Sequence, residues 1–381
     1  MNVPLLDLVP QYQALAGPLK EAVLEVIEDQ RFILGPVVED FERAVAEMLG
    51  VRFAIGCASG TDALLLAYRA VGVEDGEDVV TSPFTFFATA GAIHNAGGRP
   101  VFADIEPDTF NLDPAAADAA ITPRTRAIVP VHLFGQMADM PAFRAIGDRR
   151  DVVIVEDAAQ AIGARQRVPV ATAPGQSEVI TTGTLGEACT FSFFPSKNLG
   201  GFGDGGMVVT NDESLAEALY QLRVHGGRQM YHHGVVGFNS RLDALHAAVL
   251  KVKLPHLASW SQARRENARF YDEALADLDG IVTPVVPQAN ESIYNQYTIR
   301  VKDGKRAELQ AALKERGVGS SIYYPVPLHL QECFRHLGYR EGDFPESERA
   351  TREVLSLPIF PELAEEQRAW VVESIRSFFR A

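Results

Sequence analysis

The segment Ala188-Cys189-Thr190-Phe191-Ser192-Phe193-Phe194-Pro195-Ser196-Lys197-Asn198-Leu199-Gly200 carries the most chemistry per residue in the chain. Lys197 is one of only seven lysines, and it follows a β-prone apolar run. An amine held among aromatic side chains has its pKa lowered by poor solvation, and it can then attack a carbonyl to form a Schiff base. A lone lysine is more often a solvated surface group. Here the position just past a strand, with Thr190, Ser192 and Ser196 close before it and glycines behind, favours the chemical reading.

Two further segments supply what such an amine would need. Val152-Val153-Ile154-Val155-Glu156-Asp157-Ala158-Ala159-Gln160 ends an unbroken apolar run in two carboxylates. A run of that kind reads as a central strand, so at least one carboxylate stands at the sheet's carboxyl edge, where a cofactor ring nitrogen needing a proton could use it. A helix cap, or an ion pair with Arg165, accounts for the same residues equally well. Phe53-Ala54-Ile55-Gly56-Cys57-Ala58-Ser59-Gly60-Thr61-Asp62-Ala63 passes from strand through a small, hydroxyl-bearing turn into a helix. Free N–H groups at a helix start suit a phosphate, although by itself the turn reads first as an ordinary cap by Ser59 or Thr61.

Other patterns do not develop into sites. Gly201-Phe202-Gly203-Asp204-Gly205-Gly206 matches GxGxxG, but Met207-Val208-Val209-Thr210 follows as a strand where the dinucleotide fingerprint requires a helix. The glycines are read instead as a tight turn beside Lys197. The nine histidines fall in no metal-binding spacing; His232 and His233 are adjacent, and His132 suits an apolar strand as a core histidine. Cys57, Cys189 and Cys333 are too sparse for a disulfide framework or a zinc site.

The elements that must position these groups alternate. Strands are expected at Phe53–Cys57, Asp78–Ser82, Pro100–Ile105, Arg126–Leu133, Asp151–Glu156, Cys189–Phe194 and Met207–Thr210. Amphipathic helices at Asp62–Val71, Thr85–Ala96 and Met140–Asp148 lie between them. This is the pattern of a mostly parallel sheet covered on both faces, with chemistry at the carboxyl ends of its strands. Beyond Asn239 the pattern changes. A helical stretch from Leu242 to about Leu275, broken at Pro255, leads to strand Gln296–Val301, helix Arg306–Arg316, strand Ser320–Tyr324 and helix Glu365–Arg380. Ile281–Pro287 and Gly338–Glu348 read as connections. Two domains result, a large one over residues 1–250 and a small α+β one over 251–381.

Composition bounds the partners. Thirty-five Lys and Arg against 50 Asp and Glu leave a net charge of −15, which opposes nucleic acid and anionic membranes. No apolar run is long enough to span a bilayer, and the start lacks a signal-peptide pattern. With few cysteines, a cytoplasmic chain is expected.

Taken together the motifs resemble the DegT/DnrJ/EryC1/StrS family of sugar-nucleotide aminotransferases. The likeness runs nearly end to end through Phe32-Ile33-Leu34-Gly35-Pro36, Ser59-Gly60-Thr61-Asp62-Ala63, Phe84-Thr85-Phe86-Phe87-Ala88-Thr89-Ala90, Val131-His132-Leu133-Phe134-Gly135-Gln136, Glu156-Asp157-Ala158-Ala159-Gln160, Pro195-Ser196-Lys197-Asn198-Leu199-Gly200, Asn239-Ser240-Arg241-Leu242-Asp243 and Tyr323-Tyr324-Pro325-Val326-Pro327-Leu328-His329. The resemblance implies an α/β fold of the aspartate-aminotransferase kind (fold type I) and pyridoxal 5'-phosphate as cofactor. It implies that Lys197 forms the Schiff base and moves the proton, and that Asp157 keeps the ring nitrogen protonated. Phe86 would stack on the ring, Gln160 bond its phenolic oxygen, and Gly60, Thr61 and Ser192 hold the phosphate. Asn239, and with it Arg241, would reach across a homodimer interface. Arg241, Tyr324 and His329 would line the sugar-nucleotide site. Glutamate is the implied amino donor and a nucleoside-diphosphate keto-sugar the acceptor.

Within the family, Cys189-Thr190, the Phe193–Lys197 stretch and Tyr231-His232-His233 look most similar to the members that aminate C3. A UDP-linked 2-acetamido-3-oxo hexose or glucuronate is the expected substrate. C3 or C4 amination of a dTDP-linked keto-6-deoxyhexose is the alternative, and a non-catalytic ligand-binding regulator is the alternative of another class. The chain departs from the family pattern at Ile162 and Asn295, where histidines are usual, and in an added stretch at Ala171–Thr184. These departures bear on the substrate and leave amino transfer intact.

Overall fold

The computed structural model describes residues 1–170, 175–229 and 231–380. Two helices, α1 (Val9–Asp29) and α2 (Pro36–Leu49), precede the first strand. In α2 the buried residues Val38, Phe41, Val45, Ala46 and Leu49 recur at helical spacing, and Gly50, left-handed at φ 74°, ends the helix. Neither helix was among the expected elements, the first of which is the strand at Phe53.

The central sheet follows that expectation closely. Its strands are β1 (Phe53–Cys57), β2 (Asp78–Thr81), β3 (Arg99–Phe102), β4 (Thr125–Val129) and β5 (Val153–Asp157). After a hairpin of β6 (Arg165–Pro169) and β7 (Ser177–Thr181), it is completed by β8 (Ala188–Ser192) and β9 (Gly206–Thr210). The order is β1-β9-β8-β5-β4-β2-β3, which makes β5 the middle strand of seven. Only β9 runs against the others. Strand β5 is apolar up to its two terminal carboxylates because both its faces are covered; Ile154 and Val155 are fully buried, and each contributes about 1.5–3 kcal/mol by leaving water.

Helices α3 (Gly60–Ala70) and α4 (Ala88–Ala96) pack on one face of the sheet, and the short α5 (Pro114–Ala119) with α6 (Met140–Arg150) flank the other. Next come α7 (Glu213–Leu222), which joins the α3 face, and an exposed hairpin of β10 (Gly227–Gln229) and β11 (His232–His233). Pro255 then interrupts the long helical stretch as expected, separating α8 (Ala244–Lys253) from α9 (Leu257–Leu275) by one 3₁₀ turn.

A second, smaller core forms around an antiparallel sheet of β12 (Ile281–Val282), β14 (Tyr297–Val301) and β15 (Val354–Leu357), while β13 (Asn290–Glu291) leaves it to pair with β6. Helices α10 (Arg306–Glu315), α11 (Pro345–Glu353) and α12 (Glu365–Arg380) complete the chain. The chain's beginning belongs to this core as well: Val3 is buried there and bridges Val318.

Four expectations are corrected. The segment Ile281–Pro287 is not all connection, since Ile281 and Val282 form β12 against β14. The segment Ser320–Tyr324 is not a strand; it makes one isolated bridge, Ser321 to Ser356, because β15 already occupies the edge of β14. The segment Gly338–Glu348 is not all loop, since Pro345 starts α11, as suits a proline at a helix's first turn. In the added stretch Ala171–Thr184, Ser177–Thr181 is strand β7, paired with β6 from Arg165 to Pro169; residues 171–174 lie outside the described residues. Among the described residues, no helix is long and apolar enough to cross a membrane, and no group of three or more His, Cys, Asp or Glu could hold a metal ion.

Candidate active site

Because β1, β5 and β8 run the same way, their carboxyl ends meet at one edge of the sheet. The antiparallel β9 begins at that edge, with Gly206 facing both Cys57 and Ser192. A Cβ on Gly206 would lie 2.2 Å from the Ser59 carbonyl oxygen, so glycine alone lets the β1–α3 turn fold over this point. That is the role of one glycine in the rejected dinucleotide match.

The turn builds a cradle. Ser59 caps α3, its hydroxyl accepting from the Asp62 N–H at 3.0 Å. Gly60, the first residue of the helix, lies so close to Ser192 that a Cβ there would meet the Ser192 Cβ at 2.6 Å. The helix start and the Ser192 hydroxyl therefore converge on one small volume, an arrangement suited to an anion such as phosphate. Thr61 follows in the same first turn. The cap itself is Ser59, which resolves the choice between Ser59 and Thr61.

The two carboxylates at the end of β5 go opposite ways, as neighbours on a strand must. Glu156 is fully buried beneath the site, accepting from His132 Nε2 (2.9 Å), Gly183 N (2.9 Å) and Gly186 N (2.7 Å). His132 Nδ1 accepts from the Ala138 N–H at 3.1 Å, so its proton sits on Nε2 and it is a satisfied core histidine. Arg165 pairs with neither carboxylate.

Asp157 is the one whose charge acts on Lys197. Its Oδ2 accepts from the Thr89 hydroxyl at 2.8 Å and its Oδ1 from the Ala159 N–H at 3.2 Å. Thr89 spends its one proton on Asp157, so the 3.1 Å contact with Thr85 makes Thr85 its donor. Burial raises the Asp157 carboxyl above its ordinary range, opposed by these bonds and by the charge of Lys197. Lys197 is partly accessible at the tip of the β8 turn; desolvation brings its amine down to about 8, against the attraction of Asp157. At pH 7 about a tenth of such amines is unprotonated and nucleophilic, far more than for a solvated lysine. Behind the lysine, Gly200 turns so sharply that a Cβ would lie 2.2 Å from the Pro195 carbonyl oxygen.

An aromatic and amide wall faces this pair. Gln160 accepts from the Phe134 N–H at 2.8 Å and donates to the Tyr324 hydroxyl at 3.0 Å. The rings of Phe86 and Tyr324 stand 6.2 Å apart, with Phe86 57% exposed and free to take a planar partner. Burial raises the Tyr324 hydroxyl's pKa, keeping it a neutral donor.

The remaining expected residues lie apart from this cluster. Asn239 is exposed and makes no side-chain hydrogen bond among the described residues, but its neighbour Ser240 is tied to Asp62 of α3 at 2.7 Å. Arg241 is half-buried, and its side chain makes no such bond either. His329 is 1% exposed, with Nε2 3.1 Å from Glu348 and Nδ1 unpartnered; it lies under the surface against Phe344. Thr89 and His132 support the site without having been singled out for it. For Thr89 the signal was its place one turn after Thr85 in a segment already matched to the family.

A sequence model of the DegT/DnrJ/EryC1/StrS aminotransferase family matches residues 15–376. A pleiotropic regulatory protein of Geobacillus stearothermophilus is 51% identical over 100% of this chain and 99% of its own length. UDP-N-acetyl-3-dehydro-alpha-D-glucosamine 3-aminotransferase of Acidithiobacillus ferrooxidans is 42% identical over 98% of this chain and 97% of its own. dTDP-3-amino-3,4,6-trideoxy-alpha-D-glucose transaminase of Streptomyces venezuelae is 42% identical over 99% and 96%.

Proposed function

Because the chain belongs to the DegT/DnrJ/EryC1/StrS aminotransferase family, we propose that it moves an amino group from glutamate to C3 of a UDP-linked 2-acetamido-3-oxo sugar, hexose or glucuronate. The enzyme is an aminotransferase acting on nucleotide-linked keto-sugars, and its cofactor is pyridoxal 5'-phosphate. The residues fit that group: the close approach of Gly60 to Ser192 leaves a phosphate cradle, and the buried Asp157 feels the charge of Lys197. The convergence of Lys197 with Asp157 at the end of the central strand carries the proposal.

When bound, pyridoxal phosphate supplies an electron-withdrawing ring that makes the carbon–hydrogen bond beside the transferred nitrogen acidic. The chain's own groups do the rest. Gly60, Thr61 and Ser192 would hold the phosphate, and Phe86 would stack on the ring. Gln160 would bond the phenolic oxygen. Asp157, fixed by Thr89 and the Ala159 N–H, would keep a proton on the ring nitrogen. Lys197 Nζ carries the proton between carbon atoms, its lowered pKa matching the task near neutral pH. Glutamate leaves as 2-oxoglutarate and the keto-sugar leaves as its amine. One base serves both halves, so ping-pong kinetics are expected.

The exposed Phe86 and Asn239 support a homodimer in which Asn239 and Arg241 complete the partner's site. The choice of C3 and uridine rests on the Cys189–Lys197 stretch and the A. ferrooxidans relative. The S. venezuelae relative favours a second reading, amination of a dTDP-linked keto-sugar. A regulator without turnover is the reading that the name of the G. stearothermophilus relative suggests, but Lys197 and Asp157 are both in place. Single-turnover product mass with UDP- and dTDP-linked 3-keto and 4-keto sugars tests the proposal. Turnover of 4-keto sugars alone overturns the C3 assignment, and a chain that never yellows with pyridoxal phosphate overturns the enzyme.

A further inference from the structure

Arg264, on α9, is only 3% exposed, yet no carboxylate among the described residues comes within ion-pair distance of it. Its Nη1 donates to the carbonyls of Tyr294 (3.0 Å), Asn295 (3.4 Å) and Ile359 (2.9 Å), which fixes the guanidinium plane. Its Nε and Nη2 donate to nothing among the described residues. Burial brings its pKa down to about 10, and the group is still charged at neutral pH. Glu362 is the acidic group whose charge it feels, but burial pushes that carboxyl toward its neutral form, and its Oε2 is itself unpartnered. A buried cation without a counter-charge is costly, and an anion that docks on it gains correspondingly.

A cavity of about 40 Å³ opens against this guanidinium, lined by Ser196, Asn295, Gln296 and Tyr323. The side-chain oxygens of Asn295 and Gln296 are buried and unpartnered. Asn295 Nδ2 donates to Asn198 Oδ1 at 2.7 Å. Both sequence neighbours of Lys197 are thus tied to the cavity, Ser196 directly and Asn198 through Asn295. At roughly 10–15 Å³ for each enclosed water, the space takes a group the size of a carboxylate and excludes a sugar ring.

We infer that this cavity is the carboxylate subsite of the amino donor, one carboxylate of L-glutamate docking on Nε and Nη2 of Arg264. The inference rests on the aminotransferase reading. A guanidinium with two adjacent free donors matches a carboxylate's two oxygens. The hydroxyls of Ser196 and Tyr323 and the otherwise unbonded amide of Gln296 supply further donors. The position beside Lys197 leaves the donor's nitrogen within the cluster that acts on it.

The test follows both half-reactions in cofactor-loaded wild type, Arg264→Lys and Gln296→Leu, with melting curves to establish folding. The L-glutamate concentration giving half-maximal bleaching of the yellow form is expected to rise roughly 10–100-fold in Arg264→Lys. It should rise several-fold in Gln296→Leu. The keto-sugar half-reaction should keep its half-saturating concentration within about twofold in both. Glutarate, which has the carboxylates without the amine, should raise the melting temperature of the wild type and not that of Arg264→Lys. A glutamate dependence unchanged in either folded variant, or glutamate and keto-sugar weakened alike, overturns the subsite. Should Arg264→Lys fail to fold, Gln296→Leu and Ser196→Ala decide by the same criteria. A wild type that aminates no keto-sugar with any donor overturns the aminotransferase reading instead, so the two failures are distinct.

Discussion

Replacing Lys197 with methionine should stabilise the cofactor-free protein, and by an amount that depends on pH. Its amine falls from an ordinary 10.5 to about 8 because the folded chain strips water from it. At about 1.4 kcal/mol per pH unit that fall corresponds to at most about 3.4 kcal/mol. Lys197 is partly accessible, so solvent screening trims the expected effect to about 1–3 kcal/mol. Below pH 8 the amine is protonated in both folded and unfolded chains, and the folded one bears the whole penalty. Between about 8 and 10.5 the folded amine is neutral while the unfolded one still holds its proton, so wild-type stability rises with pH through this window. Urea unfolding of cofactor-free wild type and Lys197→Met at pH 7 and pH 10 measures the difference. Lys197→Met should be the more stable at pH 7, and the gap should close toward pH 10. A gap that does not change with pH refutes the burial argument, whatever its size at pH 7, because methionine's own packing contributes equally at both.

Three further outcomes follow from the same geometry. Gly60→Ala places a Cβ 2.6 Å from the Ser192 Cβ; overpacking of this kind costs about 1–3 kcal/mol, and titration with pyridoxal phosphate should show affinity at least tenfold weaker, whereas wild-type affinity would disprove the cradle. His132→Phe leaves the Glu156 side chain without one donor and the Ala138 N–H without an acceptor; at about 1–3 kcal/mol per orphaned group, a loss of about 2–6 kcal/mol is expected in urea unfolding, and a loss below about 1 kcal/mol would mean these bonds are not what holds β5. Mixing Lys197→Met with Asn239→Ala subunits, each inactive alone, should restore roughly a quarter of wild-type activity if Asn239 serves its partner's site; no recovery on mixing places Asn239 in its own.

The central sheet was legible because its signals are local. Apolar runs broken by turns mark β1, β5, β8 and β9, and GxGxxG could be set aside because a strand follows it. Helices α1 and α2 escaped notice although α2 has a regular apolar stripe, since no chemistry-bearing residue drew attention there. The Ser320–Tyr324 segment failed as a strand for a non-local reason, the prior claim of β15 on β14. The site divided the same way. Lys197, Asp157 and the Gly60 turn announced themselves by residue type and position, but Arg264 reads in sequence as one more helical arginine.

By itself the sequence determined the strands of the central sheet, where the sheet's reactive edge lies, and, through its motifs, the family and its cofactor. Those depend on patterns within a few residues and on side-chain chemistry. Only the tertiary structure decided which of two adjacent carboxylates feels the charge of Lys197 and that His132 donates a hydrogen bond to the other from beneath. It alone showed that one buried guanidinium lacks a counter-charge beside a small cavity. Such facts depend on distances between residues far apart in the chain, because burial and charge pairing are set by neighbours in space.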